Sequence, residues 1–217
     1  MKMEAAINKT KEVISYQQHL VDLFGHAKQK NALYWFCKAY LIVTKQQLEY
    51  ISTNRFQYPL FVANVVVQFN AVFQENLEAY LNETAIPSEE WKEVFYNLAL
   101  SKGKKTKYGF IQSWNILVSC VDVHIKKDLP LCLASVINEY YAEKTDIEMI
   151  EKDFLAMTNI FHHTAKEIEA EIVFEYKLPV TQVPLSIRNF FLKKYIQHKI
   201  IRSRENSWRT AQLHFNH

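Results

Sequence analysis

The stretch from Tyr108 to Lys127, YGFIQSWNILVSCVDVHIKK, decides the fold class. Phe110, Trp114, Leu117, Val121, His124 and the following Asp128 succeed one another at spacings of 4, 3, 4, 3 and 4, which puts them on one face of an α-helix. Ile111, Val118 and Ile125 fill the neighbouring stripe, and Ile116 and Val123 extend apolar character to the far side. A helix that is apolar nearly all round belongs in the middle of a bundle. Its polar residues then need partners, because an unsatisfied buried group costs about 1–3 kcal/mol.

The same periodicity runs outward in both directions, and no two-residue alternation competes with it. It predicts helices over about Ala5–Phe24, from Ala32 through Ile51, and after Tyr58-Pro59 through LFVANVVVQFNAVFQENLEAYL. Pro87-Ser88-Glu89-Glu90 marks an acidic helix start, favourable at the positive end of the helix dipole, for a helix reaching about Ser101. Further helices are expected over Leu129–Ala142, over Asp146–Tyr176, and from Pro184 to the C-terminus. The expected fold is therefore all-α: one domain over residues 1–217, a bundle of about eight helices around a buried central helix at about 108–127.

Composition supports this and narrows the function classes. Fourteen Phe, 12 Tyr and 4 Trp supply a large core, while only 3 Gly leave few places for the positive-φ turns of a hairpin-rich β fold. A net charge of +3 is too small to point to nucleic acid, and KGKKTK at 102–107 reads as a solvated loop. No uncharged apolar run reaches the ~18 residues of a membrane span. The start, MKMEAAINKTKEV, lacks the apolar core of a secretory signal. Cys37, Cys120 and Cys132 each sit in apolar surroundings without a Cys-x-x-Cys pair, as reduced thiols of a cytoplasmic protein do.

The candidate site gathers around His124. Asp128 lies four residues on, within reach of an i,i+4 contact, and can orient His124 as a general base or a ligand. Asp128 also precedes Leu129-Pro130 and is expected to N-cap the next helix. Asp122 lies about 160° from His124 on the wheel, so it should serve another surface and pair with a basic residue from elsewhere. A second pair, His163 and Glu167, would complete a four-residue divalent-metal site if the two helices faced one another. The stripe Ile147, Phe154, Phe161, Ala165, Ile168 and Ile172, however, turns His163 about 160° from Phe161, toward solvent. No cofactor is expected otherwise. In RSRENSWRTA, Arg204 and Trp208 are four apart, and Arg204 and Glu205 are candidates to reach the central helix and neutralise its carboxylates.

WFCKAYLIVT, HIKKDLPLCL, DFLAMTNIF and RSRENSWRTA occur in an order that resembles a bacterial family catalogued as domain of unknown function 5995. The resemblance spans about Trp35–Ala211. It implies an all-helical fold and a shared polar cluster that falls on His124, Asp128, Leu129 and Pro130, on Asp153 and Asn159, and on Arg204, Glu205 and Trp208. Two positions depart from the family pattern: Asp122 stands where Asn is expected, and Val65-Val66-Val67 replaces a more polar segment.

Three functions are consistent with these residues. The first is a hydrolase in which His124 and Asp128 act as base and orienting carboxylate, with Arg204 and Glu205 beside them. The second is a non-catalytic module binding an apolar or amphipathic small molecule in an aromatic-lined cavity. The third is a buried polar network that only fixes helix registry. Whether His124 lines a pocket separates the last from the other two.

Overall fold

The computed structural model of the chain describes residues 3–26, 30–101, 107–141, 146–175 and 196–215. The fold is all-α, and no strand occurs among the described residues. Helix α1 spans Met3–Gly25, α2 Ala32–Ser52, α3 Pro59–Leu81, α4 Glu89–Ser101 and α5 Lys107–Val123. After α5 the chain passes through a π-helical turn, His124–Asp128, directly into α6, Leu129–Tyr140. Helices α7 (Ile147–Ala156) and α8 (Thr158–Glu175) follow, and a second π-helical segment, Ile196–Ile201, leads into α9, Arg202–Gln212. None of these helices is long and apolar enough to cross a membrane.

Local chemistry accounts for most starts. The Asn31 side chain accepts the Tyr34 N–H at 3.1 Å and caps α2. Pro59 opens α3 in the first turn, where a missing N–H does no harm. The Ser88 hydroxyl accepts the Trp91 N–H at 3.3 Å, so the acidic start of α4 is where the sequence puts it. Asp153 holds α3 from outside: its carboxylate accepts the backbone N–H of Tyr58 at 2.5 Å.

Two boundaries differ from expectation. The segment expected as one helix over Asp146–Tyr176 breaks at Met157, where the Ile160 N–H bonds the Met157 carbonyl in a tight turn. The break keeps Phe154, Met157, Ile160, Thr164 and Ile168 buried at spacings of three and four. The apolar pattern therefore gives no sign of it. The stretch 176–195, the start of the expected last helix, lies outside the described residues, as do 102–106 of KGKKTK.

The second difference concerns Asp128. It does not cap a new helix: its backbone is helical, φ −74° and ψ −43°, and its side chain makes no capping bond. Pro130 has no N–H to give, and in the π register that N–H would have met the carbonyl of Ile125. The Ser207 hydroxyl of α9 donates to that carbonyl instead, at 2.5 Å, a bond shared with the Ser203 carbonyl at 2.8 Å. With its orphaned acceptor satisfied from outside, the chain has no need to break at the proline. The Leu129 N–H closes the wide turn onto the His124 carbonyl.

The buried side chains form two clusters. One gathers around Phe61, Leu133, Ile137, Phe154 and Trp208, the other around Trp35, Phe73, Trp91, Phe95 and Leu117. Phe69 and Val121 pack against both. Burial along the expected central helix deepens toward its end. Asn115 and Ser119 remain exposed, whereas His124, Ile125, Asp128, Leu129 and Pro130 are buried.

The Ser207 bond is testable by pairing it with the proline that creates the need for it. Ser207→Ala is expected to lower the unfolding free energy by about 1–3 kcal/mol, the cost of a stranded buried acceptor. In a Pro130→Ala background, which restores an N–H, the same change should cost less than half as much. Urea denaturation of the four proteins measures the coupling.

Candidate functional site

The π turn brings His124 and Asp128 together in the interior. Nδ1 of His124 lies 2.9 Å from Oδ2 of Asp128, and the indole N–H of Trp91 donates to the same oxygen at 2.9 Å. Their side chains are only 5% and 6% exposed, so this pair is sealed from bulk water. Five rings surround the imidazole. Phe69 stacks on it with centroids 3.5 Å apart, and Tyr40 meets it edge-on at 4.9 Å. Phe36, Phe73 and Trp91 complete the enclosure at 5.6, 5.8 and 6.1 Å. Burial depresses the basicity of His124, and the hydrogen bond and charge of Asp128 oppose that only in part. The neutral ring therefore donates Nδ1–H to Asp128. Its Nε2 is left as a bare acceptor with no hydrogen-bond partner among the described residues.

His124 borders a pocket of about 150 Å³ at the seam between the two core clusters. Its walls come from α2 (Phe36, Tyr40, Val43), α3 (Val65, Val66, Phe69), α5 and the π turn, and α7 with α8 (Phe154, Phe161). Nearly all of this lining is carbon. Val65 and Val66 are part of it. The polar exceptions are telling. Besides Nε2 of His124, the Tyr40 hydroxyl is buried without a partner among the described residues. Burial, with Cys132 and Asp128 nearby, keeps that phenol firmly protonated and able to donate.

Arg204 also lines the pocket. It does not neutralise the carboxylates of the central segment. Nη2 donates to the Phe154 carbonyl at 2.7 Å, and the guanidinium lies over the Phe154 and Phe161 rings at 4.1 and 4.7 Å. It makes no ion pair among the described residues, and its Nε has no hydrogen-bond partner there. Burial lowers its basicity to about 9, which still leaves it charged at neutral pH.

The remaining sequence-derived candidates are dispersed. Asp122 faces away from His124, as the wheel requires, and pairs with Lys126 and Lys199, both at 3.0 Å. Asp153 holds the start of α3. Trp208 is fully buried and stacks on Phe154 at 5.4 Å. Glu205 is half-buried and makes no ion pair or side-chain hydrogen bond among the described residues. The Asn159 side chain lies outside them. His163 and Glu167 are exposed, their side chains 70% and 43% accessible, and stand apart from the buried His124–Asp128 pair. Among the described residues no group of three or more His, Cys, Asp or Glu is placed to hold a metal ion.

Sequence reasoning missed Trp91, Tyr40, Phe69 and Ser207. The aromatic residues recur at helical spacing, but that signal is the same for a pocket wall and a packed core. The three cysteines are buried and free, and burial raises their thiols, those of Cys120 and Cys132 to about 12. None is a thiolate nucleophile at neutral pH.

A family model described as "Family of unknown function (DUF5995)" matches residues 10–216. No curated protein and no solved structure matches the chain.

The neutral His124 sets a pH dependence. Its folded basicity lies below the ordinary value of 6.5, so between the two the unfolded chain binds the extra proton. The stabilisation is complete above that value and is lost as pH falls below it. Between about pH 7.5 and 5.5 the native chain should lose more melting temperature than His124→Gln, which keeps a donor for Asp128 but does not titrate. Equal losses in the two proteins would place the titration elsewhere.

Proposed function

The chain belongs to the family of unknown function DUF5995, and from that premise we propose a function read from the site itself: the protein binds a small apolar or amphipathic molecule in the pocket beside His124. One observation carries this reading. A nearly all-carbon pocket is bordered by three residues, Tyr40, His124 and Arg204, each with a buried polar atom that no described residue partners. Left unmet, each such atom costs about 1–3 kcal/mol. A ligand that fills the space gains from its own burial against these walls. Apolar walls with a few convergent polar groups are the common form of a small-molecule site.

The oriented imidazole favours a second reading. Asp128 fixes the tautomer of His124 so that Nε2 is free to accept a proton, which is what a general base in a hydrolase requires. That reading lacks a nucleophile. Of the hydroxyls bordering the pocket, Thr164 donates to the Ile160 carbonyl and Tyr40 is held protonated, while the walls offer little to an attacking water. Binding without turnover is the better-supported of the two. The three buried, unpaired thiols support a reducing, cytoplasmic setting.

Filling the pocket from within tests the proposal. Ala165 of α8 borders it, and Ala165→Phe projects a ring into the space. With a ligand at a hundred times its Kd, the native protein should gain about 2.7 kcal/mol. For a chain of this size that is a rise of about 5–10 °C in melting temperature. Ala165→Phe should show no such rise. A screen of small apolar and amphipathic compounds that moves neither protein, or moves both equally, would remove the pocket as a binding site. Hydrolysis of aryl esters that is abolished in His124→Ala would instead favour the catalytic reading.

A further inference from the structure

We infer that the ligand is a small monocarboxylic acid whose body is the size of one aromatic ring, its carboxylate seated against Arg204. This rests on the binding reading above and specifies the ligand class. Size comes from the pocket: about 150 Å³ of space is on the scale of one benzene-sized group. Charge comes from Arg204. A guanidinium that is 3% exposed needs an anion, and none of the described carboxylates supplies it. Asp128 is committed to His124 and Trp91, and Asp153 to the Tyr58 N–H.

The shape of the donor set selects a carboxylate. Arg204 spends Nη2 on the Phe154 carbonyl and holds its plane over the Phe154 and Phe161 rings, which fixes its orientation before any ligand arrives. The Arg204 side chain lines the pocket, and planar guanidinium matches planar carboxylate. Tyr40, whose hydroxyl has no partner among the described residues, lines the same pocket. One cationic group and one neutral donor suit a single negative charge. A phosphate dianion would need more donors than the described lining residues provide.

Calorimetric titration of the full chain with four ring-sized probes tests this. They are benzoate, benzamide, toluene and benzylamine, which share a body and differ in the head group. Benzoate is expected to bind at least tenfold more tightly than benzamide or toluene, and benzylamine more weakly than any. In Arg204→Met the advantage of benzoate over toluene should fall below about threefold, with Arg204→Lys between the two. Toluene binding with no preference for benzoate in the native chain would overturn the inference and leave the pocket intact as a binding site. Binding of none of the four would remove both. Should Arg204→Met fail to fold, the native ranking still decides, together with Ala165→Phe, which must abolish benzoate binding. Benzoate that still binds Ala165→Phe sits elsewhere, and the inference fails.

Discussion

A single hydroxyl lets the interior of this protein take its form. Pro130 removes an N–H from the middle of a long helical path, and the carbonyl it strands on Ile125 is met by Ser207, 82 residues further along the chain. Without that donor the path would be expected to end near Asp128, because prolines usually close or open helices. With it, α5 runs through the π turn into α6. Asp128 is thereby released from capping duty, and its carboxylate is available to hold His124 and Trp91. The same bond docks α9 on the π turn and fixes the helix that carries Arg204.

The two wide turns lie close to the polar residues of the pocket. His124 and Asp128 lie within one π segment, and Arg204 follows shortly after the other, Ile196–Ile201. Wide turns are uncommon because their backbone geometry is poorer, and they recur where a side chain must be placed off the regular lattice. The surrounding α-helices contribute carbon: valines and aromatic rings from α2, α3, α5, α7 and α8. The division is consistent across levels. Regular helices build most of the apolar walls, and the first π turn places His124 against them.

The sequence disclosed the fold more readily than the site. Three-and-four spacing is a property of each segment alone, so α1 to α4 could be read one at a time. His124 and Asp128 were legible as a pair for the same reason, being one turn apart, and the wheel correctly sent Asp122 to another surface. What could not be read depends on residues distant in sequence. The role of Asp128 is decided by Ser207 and Trp91, and nothing beside Pro130 announces a donor from α9. Arg204 lies against a carbonyl and two rings rather than a carboxylate, an outcome set by the packing of α7 and α8. The turn at Met157 breaks a helix without disturbing its apolar spacing, so no local signal marks it. Aromatic residues such as Phe69 look the same in sequence whether they face another ring or an opening.

The energetics of the empty pocket argue that it is more than imperfect packing. A hollow of this size forfeits packing contacts that a filled core would make. Three unpartnered polar atoms add to that, and a whole domain is stable by only about 5–15 kcal/mol. The chain has the means to avoid much of this cost. Replacing His124 and Arg204 by apolar residues of similar volume would remove two of the polar atoms, and buried charges exchanged in this way are often neutral or stabilising. Instead the structure spends a hydroxyl, a π turn and an indole N–H on holding His124 and Asp128 in place, and aligns Arg204 between two rings. Such preorganisation is costly in the free protein, and it lowers the cost of ordering when a matching molecule enters.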